Sequence, residues 1–176
     1  MLTLEKLIYT KKTYREIVWI FVIILSFNFF YFDILDLFYK IFAPQYIPTG
    51  DIVNEAMTNE LSKYGAMVFI LITLGYVVWE ELLFRFPLSL LLWAKFKAKF
   101  ILLGVMILTC GFIWIHLGNS QDVKYLFPIL LQGVGGILIS ILFILSGANN
   151  GKYFQAFAVV VLYHFIWNMS TLIYYI

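Results

Sequence analysis

The chain has 176 residues, of which 63% are hydrophobic and only 12% charged, and its mean hydropathy is +0.93. Soluble domains carry roughly 25% charged residues, so this composition excludes a water-soluble fold and indicates an integral membrane protein. The formal net charge of +2 argues against a nucleic-acid-binding surface. The single cysteine, Cys110, excludes an internal disulfide.

Five apolar segments follow one another along the chain. Each is long enough, or nearly so, to cross ~30 Å of hydrocarbon as a helix. None alternates apolar and polar residues with a period of two, so a β-barrel is not expected. The composition and these segments predict an all-α fold, a polytopic transmembrane helical bundle of about five spans. The segments cover residues 17–32, 64–93, 100–117, 126–145 and 154–176.

The first connection predicts a surface element. Pro44, Pro48 and Gly50 interrupt the chain after the first span, and Asp51 is then placed to cap a short helix with one apolar side. We expect this short interfacial helix to lie at the membrane surface, between the first and second spans.

Later residues predict local breaks and close packing. Pro87 should bend or end the second helix nearby, and residues 149–151 (Asn-Asn-Gly) are typical of a tight turn. Small residues share one face of the fourth span, which favours close contact with another helix. They are Gly133, Gly135, Gly136 and Ser140.

The lysines and arginines of the loops predict the orientation. Under the positive-inside rule, the more basic loops face the cytoplasm, which places the N-terminus there. The basic loops hold Lys6, Lys11, Lys12, Arg15, Lys95, Lys97, Lys99 and Lys152, and the opposite loops hold Lys40, Lys63 and Lys124.

Three ionisable residues lie together in the second span. A charged side chain in hydrocarbon costs at least a few kcal/mol and usually faces a cavity. Glu81 and Arg85 are four residues apart, so they share a helix face and can neutralise each other. Glu80 lies ~100° around the helix and points elsewhere, which suits a general base that acts on water. A structural ion pair is the alternative for Glu81 and Arg85.

The two histidines of the chain also lie in spans. His116 follows Phe112 by four residues, and His164 precedes Asn168 by four. This set fits a hydrolytic site in which Glu80 takes a proton from water and His116 helps to hold that water. His164 and Asn168 would then donate hydrogen bonds to the oxyanion of a tetrahedral intermediate.

A zinc site is the main chemical alternative, with Glu80, His116 and His164 as its ligands. The H-E-x-x-H signature of many zinc proteases is absent from the sequence, so water activation without a metal is favoured and no cofactor is required. Counting residues from the span centres, His116 lies ~12 Å away in depth from Glu80. Either the third helix extends further or the second helix is displaced or tilted.

The three patterns are EELLFR at 80–85, FIWIH at 112–116 and HFIWN at 164–168. In these motifs the chain resembles the CPBP intramembrane proteases, also called the CAAX protease and bacteriocin-processing (Abi) family, over about residues 64–172. The resemblance implies a glutamate-dependent intramembrane endopeptidase with a core at 64–176, preceded by an anchor span and the interfacial helix at 1–63.

The resemblance also implies the roles of individual residues. Glu80 and His116 would activate the water, and His164 and Asn168 would form the oxyanion hole. Glu81 and Arg85 match the motif, and we assign them a supporting role. Family members commonly have more helices, so a second copy of the chain, as a homo-oligomer, is one way to complete the reaction chamber.

Composition and compact size favour a bacterial member in the plasma membrane that acts in peptide maturation or bacteriocin self-immunity. Its partners would be the lipid bilayer and a membrane-associated peptide or protein substrate, without nucleic acid. Two other functions stay open at this point: a non-catalytic immunity or scaffold protein that binds a partner peptide, and a small transporter whose carboxylates relay protons.

Overall fold

The computed structural model describes residues 4–42, 59, 61–117 and 126–175, and these residues contain helices and turns but no strand. The predicted all-α class is confirmed. The predicted interfacial helix falls mostly on residues 43–58, outside the described residues. The helices are α1 (Leu4–Tyr9), α2 (Tyr14–Phe42), α3 (Ala66–Trp93), α4 (Ala98–Leu117), α5 (Leu126–Leu145) and α6 (Tyr153–Tyr175).

Four helices are long and apolar enough to cross a membrane, counting only the described residues. The predicted fifth span is also a helix, α6, with 23 residues, but it is not one of these four. The apolar segments are Tyr14–Phe38, Ala66–Trp93, Ala98–His116 and Ile129–Asn150.

One helix runs further than the sequence predicts, and another passes through a proline. The first span was expected to end at Phe32, but α2 continues through Asp33 and Asp36 to Phe42. No proline or glycine stops it before that point, and it buries Asp36. Pro87 does not end α3, which continues to Trp93. In a bundle, neighbouring helices allow a proline to remain inside a spanning helix.

The small face of α5 lies against α4, as predicted. A Cβ atom added to Gly136 would lie 3.3 Å from Thr109 Cγ2 and 3.5 Å from the Phe112 ring, so a larger residue there would push α4 away. At the far end of α5, a 3₁₀ turn (Ala148–Asn150) leads to Gly151, whose φ of 78° is left-handed. This confirms the predicted tight turn, which starts α6 back across the bundle.

The core lies where α3, α4, α5 and α6 meet, with α2 packed across α5 and α6. Its fully buried apolar residues come from all four of these helices: Val77, Leu88, Ile101, Leu142, Ala156, Val160 and Tyr163. Four buried polar residues of these helices belong to the site described next: Glu81, Arg85, Ser140 and His164.

Candidate active site

The two adjacent glutamates of α3 face different surroundings. Neighbouring helical residues are ~100° apart around the axis, so the two carboxylates reach different neighbours. The Glu81 side chain is 1% exposed, whereas that of Glu80 is 23% exposed. The structure thus separates a fully buried carboxylate from a partly exposed one.

Glu81 makes two short contacts, one with each carboxylate oxygen. Arg85 Nε donates to Glu81 Oε2 at 2.8 Å, which confirms the predicted pair on one helix face. The second contact joins two helices, because His164 Nδ1 of α6 lies 2.8 Å from Glu81 Oε1. Sequence spacing alone did not indicate this second partner. Glu81 therefore fixes both the guanidinium beside it and the imidazole opposite.

Arg85 extends the network to α5. Its Nη1 donates to Ser140 Oγ at 3.0 Å, and the Ser140 hydroxyl donates to the Gly136 carbonyl at 2.8 Å. Ser140 was predicted only as part of a small packing face, so the sequence reasoning missed its contact with the guanidinium. The contacts from His164 through Glu81 and Arg85 to Ser140 thus form a buried polar network that connects α6, α3 and α5.

The contact with Glu81 sets the tautomer of His164. A carboxylate only accepts hydrogen bonds, so Nδ1 of the ring carries the proton and donates it to Glu81 Oε1. The other ring nitrogen, Nε2, lies 3.6 Å from Glu80 Oε2. In the neutral ring Nε2 therefore presents a lone pair to Glu80, and it becomes a donor only when the ring is protonated.

His116 is held in the same way by its own helix. Its Nδ1 lies 2.8 Å from the Phe112 carbonyl oxygen, which can only accept. Its Nε2 therefore presents a lone pair, and lies 4.0 Å from Glu80 Oε1. The Phe112 ring packs 4.3 Å from the His116 ring and 6.2 Å from the His164 ring, measured between centroids. The F-x-x-x-H spacing thus places the Phe112 ring beside both imidazoles.

Glu80 is thus the meeting point of three helices. Its two oxygens lie 4.0 Å from His116 Nε2 and 3.6 Å from His164 Nε2. Both distances exceed a direct hydrogen bond, and one water molecule can bridge such a gap. A water between Glu80 and a neutral imidazole would donate one hydrogen to each acceptor, which leaves a lone pair of its oxygen free.

The cluster brings two carboxyl groups and one guanidinium together. Arg85 pairs with Glu81 at 2.8 Å, whereas the Glu80 oxygens lie 4.0 and 3.6 Å from the two imidazoles. An uncompensated charge inside an apolar bundle is unfavourable, so the contact with Arg85 stabilises the Glu81 carboxylate.

Asn168 lies one helical turn beyond His164 on α6 and is partly buried. This position keeps the carboxamide on the same side of α6 as the imidazole, as the spacing predicts. Its role as an oxyanion donor stays a prediction, as do the catalytic roles of Glu80, His116 and His164.

The zinc alternative would use Glu80, His116 and His164. Within the described part of the chain, no group of three or more histidine, cysteine, aspartate or glutamate side chains is arranged to hold a metal ion. The zinc alternative with these three side chains as ligands therefore stays a prediction.

No family model, curated protein or solved structure matches this chain. The resemblance to CPBP proteases therefore depends on the three motifs of the sequence, and what they imply about function enters below as a proposal. The helical bundle and the cluster around Glu80 are independent of that resemblance.

Proposed function

We propose that this protein is an intramembrane endopeptidase that hydrolyses a peptide bond with water activated by Glu80. One observation carries the proposal: a partly exposed carboxylate faces Nε2 of two imidazoles, at 4.0 and 3.6 Å, in the interior of an apolar bundle. Packing alone does not require three such groups from three helices. A hydrolase requires a base, a held water and donors for the oxyanion.

The proposed reaction starts with a water held between Glu80 and His116. Glu80 takes one proton, while the water oxygen forms a bond to the carbonyl carbon of the scissile peptide. The carbonyl π electrons move to oxygen and give a tetrahedral oxyanion. Glu80 then returns the proton to the amide nitrogen, the C–N bond breaks, and a carboxylic acid and an amine leave.

His164 and Asn168 are proposed to stabilise the oxyanion. Because His164 Nδ1 already donates to Glu81, its Nε2 can donate to an oxyanion only in the imidazolium form. Glu81 lies 2.8 Å from Nδ1 and stabilises the positive ring. The proposed supporting role of Glu81 is therefore to stabilise the His164 imidazolium, and that of Arg85 is to hold the Glu81 carboxylate in position.

The substrate is proposed to be a membrane-associated peptide or protein, since the site lies within helices that could span a bilayer. Composition and compact size favour a bacterial protein of the plasma membrane that acts in peptide maturation or bacteriocin self-immunity, and the basic loops favour an N-terminus in the cytoplasm. A second copy of the chain is proposed as the means of closing the chamber if one copy does not suffice.

Cleavage of a quenched peptide library by the purified chain in nanodiscs tests this function. We expect cleavage in water enriched in ¹⁸O to place the label in the new C-terminal carboxylate, because the oxygen comes from solvent. Glu5→Gln, at an exposed position of α1, serves as the charge-matched control and should cleave like the wild type.

The same preparation distinguishes the alternatives. Proton flux into liposomes without any cleavage, abolished by Glu80→Gln, would instead establish a proton-coupled transporter. Immunity against a bacteriocin that survives Glu80→Gln, His116→Ala and His164→Ala would establish a binding or scaffold protein. Either result contradicts the endopeptidase.

Cleavage is expected to survive exhaustive chelation. Glu80 and the imidazoles supply the base and the acceptors that hold the water, so the proposed steps need no metal. The measurement is the rate of library cleavage before and after treatment with a strong zinc chelator, followed by metal analysis of the protein. Loss of the activity together with zinc, and its return when zinc is added, would contradict the metal-free reaction.

A further inference from the structure

A small cavity of about 20 Å³ lies against His164, between α2, α4, α5 and α6. This is room for about one water molecule. Part of its wall is apolar, but its lining also includes the carboxamides of Asn28 and Gln132, the imidazole of His164 and the indole of Trp167. Apolar cavities of this size stay dry, whereas a cavity with two to four polar partners holds water.

Asn28 is the residue that indicates what the cavity holds. It lies in the middle of α2, is only 2% exposed, and lines the cavity. Its Oδ1 is fully buried and has no hydrogen-bond partner within the described residues. Its side chain lies beside the Tyr163 hydroxyl, which likewise makes no hydrogen bond of normal geometry there.

An unsatisfied carboxamide is costly in a bundle that has no bulk water around it. Burial of such a group without a hydrogen bond costs about 1–3 kcal/mol by mutational measurements, and polar residues inside spanning segments usually serve the interior of the bundle. A donor of the size of one water satisfies Asn28 Oδ1, and the cavity has room for about one such molecule.

We propose that this cavity is an internal water site, that Asn28 holds the water, and that the site replenishes the water that the reaction consumes. Only the replenishing of the water depends on the proposed hydrolase function. His164 links the two places, since its ring lines the cavity and its Nε2 lies 3.6 Å from Glu80 Oε2. Each turnover consumes one water, and a water stored in this cavity would lie against the same imidazole that faces Glu80.

This assigns a role to the first span. The α2 helix then does more than anchor the chain, because Asn28 completes the polar interior that α3, α4 and α6 build around Glu80. Since Asn28 touches the stored water and none of the reacting groups, it is a positioning residue.

Crystal structures that resolve ordered water test the site without reference to catalysis. We expect a water within hydrogen-bond distance of Asn28 in the wild type and in Asn28→Ser, which keeps a polar group. Asn28→Leu has a similar volume but no hydrogen-bonding group, so the water should be lost. An empty cavity in the wild type, or a water that remains in Asn28→Leu, overturns the inference.

Kinetics test the replenishing role. We expect Asn28→Leu to lower kcat about tenfold, with KM within about twofold, because one hydrogen bond to the water is lost. Asn28→Ser should restore most of the rate, and Ser26→Leu, at an exposed position of the same helix, should change neither constant. An unchanged kcat in Asn28→Leu overturns this role. If the wild type cleaves nothing, the proposed function fails, while the crystallographic water still decides whether the site exists.

Discussion

Replacing Glu80 by glutamine is expected to lower kcat about 10³-fold, the middle of the range for loss of a general base. Glutamine has nearly the same shape as glutamate but takes up no proton at neutral pH, so the water between Glu80 and His116 would not be activated. KM should change little, because the proposed role of Glu80 lies in the chemical step. The measurement is steady-state cleavage of the best peptide from the quenched library.

Two further variants sharpen this result. Glu80→Asp keeps the carboxylate but withdraws it by one methylene from the imidazoles, so we expect an intermediate rate. Thermal unfolding of Glu80→Gln should match that of the wild type, since the side chain is 23% exposed and its nearest ring nitrogen is 3.6 Å away. A kcat of wild-type size in Glu80→Gln would show that another group takes the proton.

The helices could be predicted because apolar length and hydropathy are local properties. The fourth apolar segment, 126–145, coincides with α5, and the predicted break at 149–151 is the 3₁₀ turn with left-handed Gly151. At Pro87 a bend or an end of the helix was expected, and α3 passes through this residue without ending. The sequence shows that a proline lacks the amide hydrogen. Whether the helix tolerates the proline depends on the neighbouring helices, which are in place only in the assembled bundle.

Partners within one helix could also be predicted, but partners between helices could not. A spacing of four gave the pair of Glu81 and Arg85, because i and i+4 share a face. It could not give His164 and Ser140 as further partners, since the rotation of each helix about its own axis is fixed only when the helices pack. Glu81 was therefore predicted to balance one charge, and the structure shows that it also contacts His164 Nδ1 at 2.8 Å.

Depth in the bundle was the least predictable property of the site. Counting from the span centres places Glu80 and His116 ~12 Å apart in depth, yet their side-chain atoms lie 4.0 Å apart. A count of residues includes neither the tilt of the helices nor the reach of the two side chains. Asn28 escaped prediction for a related reason: a single carboxamide in an apolar span signals an interior position, but the sequence does not say which helix it faces.

Replacing Arg85 by methionine is expected to cause the largest loss of stability of any single change in the site. The guanidinium is 2% exposed and donates to Glu81 at 2.8 Å and to Ser140 at 3.0 Å. Methionine fills a similar volume but leaves the Glu81 carboxylate buried beside His164 alone, and breaking a buried pair in this way costs about 3–5 kcal/mol. Thermal unfolding of the detergent-solubilised chain, followed by circular dichroism, measures the change.

The double variant Glu81→Gln/Arg85→Met shows whether this loss comes from the charge or from the packing. The double variant should lose less free energy of unfolding than the sum of the two single variants, with a coupling of about 1–3 kcal/mol. The reason is that the double variant leaves no uncompensated ion of the pair, whereas each single variant leaves one. Arg15→Met, at an exposed position of α2, controls for the loss of an arginine and should unfold like the wild type. If Arg85→Met also unfolds like the wild type, the Glu81 carboxylate does not carry its charge in the bundle.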